Sequence, residues 1–366
     1  MAISFPLRYD EAFRRVWSYD PSRLGTYVNE VKELSDLFLR KRVDPVYFSR
    51  SEILRAYSFF FFPQNYLKAS AILSLFPDLW EGKRDLRVLD FGGGPGNSTL
   101  ALRDSLQERV NEIVYVDKQR EGWELLRSID GDPKIKAHSL SSLAGPIDIY
   151  LFSYTLKEVG EGIFGILREL KRHESSQAVY IFLDAPDRDV LVLIDRMRRQ
   201  FAREGYGTLF PCRSGGPCPL LELTRDVESV CFSQLPWTPP PLVEEINSRL
   251  RFYIKFLKFA SLVVMKGAEG EEFLFSVSPY IGEKGKGRAF FCAPEGRLEV
   301  ERLEKERSEA NASLDELHRG SLVEWPKGEA RLRGEELSGR VRIDRCETLR
   351  LLTDLRGRRR PSRGRG

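Results

Sequence analysis

Apolar residues recur at helical spacing between Leu24 and Leu39, at Leu24, Val28, Val31, Leu34, Leu37 and Phe38. That period predicts a helix with one buried face. The following run, SRSEILRAYSFFFFPQNYLKASAILSLFPDLW, sets Ser49 or Ser51 ahead of an acid and an apolar stretch, the pattern of a capping box. Pro63 should break or kink this helix, because proline lacks the amide proton and clashes with the preceding turn. The four consecutive phenylalanines, Phe59 to Phe62, are read as a packing surface rather than a membrane anchor. Residues 1–80 are therefore expected to be a helical segment.

From residue 86 the period alternates. LRVLDF reads as a short buried strand that runs into GGGPGN and the helical stretch STLALRDSLQERV. NEIVYVD and REGWELLRSID repeat the unit, and IDIYLFS is followed by a helix striped at Leu156, Val159, Ile163, Ile166, Leu167 and Leu170. AVYIFLDA and RDVLVLIDRMRRQFARE make a further pair. Repeated βα units of this kind predict a parallel sheet with helices on both faces. Regularity stops after Glu204, and residues 206–241 are rich in Pro, Gly and Cys. LVEEINSRLRFYIKFLKF is then expected as helix and ASLVVMK as strand. Residues 271–300 read as short strands parted by GEKGKG and PEG turns, and residues 301–318 as charged and partly helical. The expected domains are 1–80, 81–270 with the insert 206–241, a β-rich extension 271–328, and a charged segment 329–366.

Composition narrows the class. The chain has 366 residues, 42% hydrophobic and 11% aromatic, which excludes a mostly disordered or collagen-like chain. No uncharged apolar run approaches the length of a membrane span. The N-terminus lacks an apolar h-region and carries Asp10 and Glu11, so neither a secretory signal nor a transit peptide is expected. The expected compartment is cytoplasmic, where disulfides are disfavoured. Of 58 basic residues, six are arginines in the final eleven, RGRRRPSRGRG. Without them 52 basic face 54 acidic residues, so the net charge of +4 belongs to the tail. Contact with a polyanion should then concentrate in the tail and in local patches.

The most informative short motif is Asp90-Phe-Gly92-Gly93-Gly94-Pro-Gly96, lying between a strand and a helix. Its glycines let the backbone turn tightly and approach a ligand at the carboxyl end of the sheet. Asp117 ends the next strand, where a carboxylate can hold ribose hydroxyls. A dinucleotide site would want G-x-G-x-x-G with an acid about 20 residues on, and a phosphate-binding P-loop would need GK[ST], which is absent. The acid-led pattern resembles class I S-adenosylmethionine-dependent methyltransferases, whose ligand carries a sulfonium cation and no phosphate. The cofactor-binding set is Asp90, Gly92, Gly93, Gly94, Gly96, Asp117 and Ser153. After the fourth strand stands Ser153-Tyr154-Thr155-Leu156, not an NPPY-like element. Glu158 and Asp184 suit caps or salt-bridge partners, and no catalytic base is assigned.

Cys212, Cys218 and Cys231 have the spacing C-x5-C-x12-C, and Cys292 follows on an expected strand. Four thiolates can hold Zn²⁺ or an iron–sulfur cluster and so brace a loop-rich segment. The absence of a C-x2-C pair and the presence of only three histidines tilt the set toward a cluster, with zinc as the alternative. Four buried thiols packed as small hydrophobes is the other reading. Cys346 is taken as an ordinary thiol.

Several segments together resemble the methyltransferase-like assembly factors of the mitochondrial small ribosomal subunit and their prokaryotic relatives. RAYSFFFFPQNYLKASAIL is similar to that family's helical segment with its Pro-x-Asn-x-x-Lys element, VLDFGGGPGNSTLAL to its glycine loop, and SYTLKEV to its post-strand segment. Cys212-RSGGP-Cys218-Pro-Leu, Cys231-Phe-Ser-Gln and Cys292-Ala-Pro-Glu-Gly resemble its three cysteine elements. The resemblance spans residues 50–300. It implies a class I methyltransferase-like Rossmann sheet with an N-terminal helical segment, a Cys-rich metal-binding insert and a small C-terminal β-rich extension. It further implies S-adenosylmethionine binding, a [4Fe–4S] cluster on Cys212, Cys218, Cys231 and Cys292, and a role in assembling the small ribosomal subunit by binding its rRNA. The chain departs from the family at Arg213-Ser214, at Phe232 and at Asp184-Ala-Pro, so histidines flanking the cysteines are not carried over. A ribosome-associated monomer without membrane contact is expected. An active rRNA methyltransferase is the alternative, and a redox or iron sensor a third reading.

Overall fold

The computed structural model describes residues 3–39, 47–212, 216–223, 230–268, 273–293, 296–324, 338–343 and 349–353. Cys346, Arg213-Ser214 and the arginine tail lie outside the described residues. By its contacts the chain divides into two compact units, residues 1–184 with 235–257, and residues 185–234 with 258–366. These units cut across the 81–270 segment of the sequence reading.

In the first unit four expected strands form where the apolar runs predict them, β1 (Leu86–Phe91), β2 (Val110–Val116), β4 (Ile147–Ser153) and β5 (Glu174–Asp184), and a short strand that the sequence reading did not include, β3 (Ile135–Ala137), joins them. They lie in the order β3-β2-β1-β4-β5, all parallel. Val88 is level with Ile113 on one side and Ile149 on the other. This is the doubly wound arrangement of an open Rossmann-type sheet. Its strand order reverses between β1 and β4, and open α/β sheets bind ligands at that switch. Val88, Leu89, Ile149, Tyr150, Leu151 and Phe152 are fully buried, as strands covered on both faces require.

The N-terminal segment is helical at Leu7–Val16, Leu24–Leu39, Ser51–Ala56 and Phe62–Ser74. Ile3–Ser4 departs from the helical expectation by forming a short strand parallel to Trp237–Thr238. Two further expectations are corrected here. Neither Ser49 nor Ser51 caps the helix: its N-cap is Arg50, with no side-chain capping bond. Pro63 does not break the chain's helical path. A π-turn at Tyr57–Phe61 widens the backbone, and Pro63 then falls at the start of the next helix, where its missing N–H costs nothing. Phe59, Phe60 and Phe62 are buried, with Phe62 edge-on to Phe13 at 4.7 Å, so the phenylalanine run is a packing surface.

The second unit contains the helix Arg188–Arg203, the strand Tyr206–Phe210 antiparallel to Phe256–Lys266, and a seven-stranded sheet. The predicted long helix from Leu242 is shorter than expected. It ends at Leu250, with Arg251 left-handed, and FLKF begins the next strand instead. The β-rich region extends beyond residue 328 to Thr353, ordered Ser338–Ile343, Gly296–Leu303, Lys286–Ala293, Leu274–Ser276, Leu322–Glu324, Arg350–Thr353. Phe291, Val300, Leu314, Val323 and Ile343 form its core. Among the described residues no helix is long and apolar enough to cross a membrane.

Candidate functional site

Strand β1 delivers Asp90 and the glycine loop to the carboxyl edge of the first unit's sheet. Gly92 has φ +71°, and a Cβ there would lie 2.0 Å from Thr155 Cγ2. Gly96 has φ +93° and is the N-cap of the helix Asn97–Leu106; a Cβ there would meet Leu126 at 2.6 Å. Side chains are thus excluded at both positions by backbone conformation and by space. The loop is tied down by its own amides. Gly92 N donates to Val116 O at 2.7 Å, Gly93 N to the same carbonyl at 3.3 Å, and Gly96 N to Gly93 O at 2.9 Å. Tyr115 donates its hydroxyl to Gly94 O at 2.6 Å.

The two acids play different parts. Asp90 is fully buried, and accepts from Ser98 Oγ at 2.9 Å and Thr99 Oγ1 at 2.6 Å. Burial pushes its carboxyl up to about 6, with the negative Asp117 adding to the rise while the Thr99 and Ser98 hydrogen bonds oppose it. Asp90 therefore fastens the loop to the first turn of the helix behind it. Asp117 accepts the Gly94 amide at 2.8 Å and the Gln119 amide at 2.7 Å. Burial raises it too, against those two hydrogen bonds. It holds the loop from the β2 side, half-buried.

Across the switch point, β4 ends at Ser153. Ser153 and Thr155 are both buried, and their hydroxyls have no hydrogen-bond partner. Such groups are costly unless something satisfies them. Between them Tyr154 has φ +59°, a left-handed backbone that is strained for a bulky residue and typical of ligand-binding segments. The Tyr154 hydroxyl accepts from Lys68 Nζ at 2.6 Å. Lys68 also donates to Asn65 Oδ1 at 3.1 Å, Asn65 Nδ2 donates to the Tyr57 hydroxyl, and Tyr57 donates to Asn97 Oδ1 at 3.0 Å. Burial drops the Lys68 ammonium from its ordinary range to about 7, against the pull of Asp184. Lys68 and Tyr154 are absent from the site set read from the sequence. The available signal was a lysine within a helix that is otherwise uncharged. Asp184 caps the short helix Leu156–Val159, accepting from Leu156 N at 2.9 Å, and Glu158 accepts from Tyr47 and Lys118.

The second unit gathers the cysteines. Cys212 follows the strand Tyr206–Phe210, Cys218 precedes the short helix Pro219–Leu223, and Cys231 precedes the strand Ser233–Thr238. Cys292 joins them through pairing: it lies opposite Phe275 in the sheet, and the Phe275 ring packs edge-on against Phe210 at 5.4 Å. Arg319 braces Cys231 from both sides, donating to Val230 O at 2.6 Å and lying 3.8 Å from the Phe232 ring. Cys218 and Cys231 share a hydrogen bond, as do Cys231 and Cys292. The bond to Cys231, then burial, push the Cys218 thiol far up, while Leu221 and Leu220 amides oppose the rise. For Cys231 the bond from Cys218 lowers the thiol, but Cys292, burial and Cys212 outweigh it and the net is a large rise. Among the described residues no group of three or more His, Cys, Asp or Glu side chains is spaced to hold a metal ion. A coordination sphere is not preformed, although the donor set is soft and free of histidine, and a cavity of about 40 Å³ is lined by Cys212, Cys218 and Cys231.

No family model matches this chain, and no curated protein matches it. Solved structures do match. One is an S-adenosylmethionine-dependent methyltransferase from Aquifex aeolicus, 14% identical, covering 52% of this chain and 86% of that one, with a TM-score of 0.33. A second is the plantazolicin methyltransferase BpumL in complex with SAH, 13% identical, covering 71% and 96%, TM-score 0.36. A third is a precorrin-6y C5,15-methyltransferase from Geobacter metallireducens, 12% identical, covering 54% and 86%, TM-score 0.36. At such identities and scores the likeness does not extend to substrate or chemistry.

Proposed function

We propose that the first unit binds S-adenosylmethionine at the β1–β4 switch, and that the chain is an assembly factor of the small ribosomal subunit that binds its rRNA. The observation that carries the cofactor reading is the pair of buried, unpartnered hydroxyls on Ser153 and Thr155 at the end of β4, beside a loop where Gly92 and Gly96 exclude side chains. Charge selects among ligands. Asp90 and Asp117 surround the loop with negative potential, which suits a sulfonium and disfavours a pyrophosphate. Titration calorimetry with S-adenosylmethionine tests this. Saturable binding that weakens when Ser153 and Thr155 become Ala and Val is expected, and no heat with the folded wild-type chain refutes it.

The ribosomal part rests on the ordered resemblance of residues 50–300 and on the arginine tail. Each tail arginine that neutralises a phosphate should add almost one unit to the salt slope of binding. Crosslinking to small-subunit rRNA in cells checks it, and crosslinks scattered evenly over other RNAs would count against it. Such a factor would be cytoplasmic and ribosome-associated. The four cysteines fit a [4Fe–4S] cluster in donor chemistry, with Cys212, Cys218, Cys231 and Cys292 as ligands. When bound, a cluster would supply a rigid cross-link for a segment with little core of its own. Zinc is the alternative, and iron, sulfide and zinc analysis after anaerobic purification separates the two.

A second reading, an active rRNA methyltransferase, is favoured by the Lys68–Tyr154 pair at 2.6 Å beside the post-β4 segment. An amine that is partly neutral near pH 7 can take the proton an acceptor loses when the methyl group moves from the sulfonium. Transfer of a labelled methyl group to small subunits, lost in Lys68→Met, is the expected sign. Cofactor binding with no labelled product across ribosomal substrates would exclude it.

A further inference from the structure

The helix Arg188–Arg203 sends one cation into the cysteine cavity. The Arg198 side chain is 3% exposed. Its Nη2 donates to Asp195 Oδ1 at 2.7 Å and to the Gly216 carbonyl, whereas its Nη1 is buried with no partner. The cavity it lines is walled by Cys212, Cys218 and Cys231, by Asp195 and Ser261, and by apolar side chains including Leu191 and Val230. A buried charged donor left without a partner is costly unless something satisfies it. Packing alone would be served better by Leu or Met. Asp195 also pairs with Arg199 at 3.1 Å, so the carboxylate is shared and the local balance stays positive.

We propose that Arg198 is a positioning residue for the four-thiolate centre, donating Nη1–H to a sulfur of the bound cluster and offsetting part of its negative charge. This rests on the reading of the four cysteines as ligands of an iron–sulfur cluster. Four thiolates around such a core leave a net negative charge in a poorly hydrated site. A buried charge of that kind needs a fixed counter-charge and a hydrogen bond. Groups that orient and neutralise a metal centre from behind its ligands typically govern retention by 10–100-fold, which is about the scale of effect expected here.

The test uses the full chain, reconstituted anaerobically, as wild type, Arg198→Met, Arg198→Lys and Arg199→Met. Arg199 shares Asp195 but is 29% exposed, so it controls for loss of the ion pair. Iron and acid-labile sulfide are counted, and the release of iron to a ferrous chelator is timed. Wild type and Arg199→Met should hold about four irons per chain. Arg198→Met should release them on the order of tenfold faster or more, with Arg198→Lys between. If Arg198→Met does not fold by circular dichroism, the release rate of Arg198→Lys decides. Four irons in wild type with unchanged release in the Arg198 variants overturns this inference and leaves the cluster reading standing. Wild type without iron and sulfide overturns the cluster reading, and the inference with it.

Discussion

Adding one methyl group at Gly92 probes the glycine loop in a way that can be reckoned from its surroundings. Gly92→Ala forces an L residue to φ +71°, at about 1–2 kcal/mol. The new Cβ would also sit 2.0 Å from Thr155 Cγ2, a distance no Cβ contact tolerates, but 3.3 Å from Thr155 Cβ, which a small shift relieves. Overpacking of that kind typically adds about 1–3 kcal/mol. A total of roughly 2–5 kcal/mol is expected. The clash part is removable, because Thr155→Ser deletes Cγ2. The single Thr155→Ser change should cost under about 1 kcal/mol, one buried methyl. Urea unfolding followed by tryptophan fluorescence suits the measurement, since Trp17, Trp80, Trp123 and Trp237 all belong to the unit that carries the loop. The double variant should be more stable than the sum of the singles by about 1–3 kcal/mol. Strict additivity of the two changes, or a Gly92→Ala protein as stable as wild type, would refute the stated geometry of Gly92 against Thr155.

Four further outcomes are expected. Lys68 has a folded-state value near 7 against an ordinary 10.5. Its penalty is therefore absent above pH 10.5, grows as pH falls, and is complete below about 7, up to roughly 4–5 kcal/mol. Lys68→Met should accordingly gain more stability over wild type at pH 6 than at pH 10, and a pH-independent difference in denaturation midpoints contradicts this. Asp117→Ala releases the Gly94 and Gln119 amides; S-adenosylmethionine affinity should fall at least tenfold by calorimetry, and unaltered affinity would remove Asp117 from the site. Cys231→Ala should abolish iron retention after anaerobic reconstitution, whereas Cys346→Ala should leave it intact; equal iron in both proteins would discredit the ligand set. Deleting residues 356–366 should weaken rRNA binding and flatten its dependence on salt, so identical slopes for the full and shortened chains would dismiss the tail as an RNA contact.

Much of the first unit was legible because its signals are local. The apolar runs of β1, β2, β4 and β5 are buried on both faces, which leaves a continuous hydrophobic stretch in the sequence. The glycines at 92 and 96 are demanded by backbone angles that few other residues adopt. By contrast β3 has three residues, of which only Ile135 is buried, and so leaves almost no pattern. Its existence depends on pairing with β2. Pro63 was misjudged for a related reason: a proline rule applies to a regular helix, and the π-turn before it changes the register in which the rule operates.

The chain's sequence by itself determined the kind of sheet, the loop at its switch point and the spacing of four cysteines. Those follow from residue chemistry and from periods of a few residues. Only the tertiary structure decided that Asp90 is consumed by Ser98 and Thr99, that the Ser153 and Thr155 hydroxyls are left unmet, and that Lys68 reaches Tyr154 from a helix 86 residues earlier. It likewise decided that Cys292 lies opposite Phe275 in the second unit's sheet, and that Arg198 rather than its neighbour Arg199 turns into the cysteine cavity. Burial and partnership depend on what the rest of the chain packs against each group. Desolvation and unmet hydrogen bonds, which set the chemistry of these residues, arise when that packing closes.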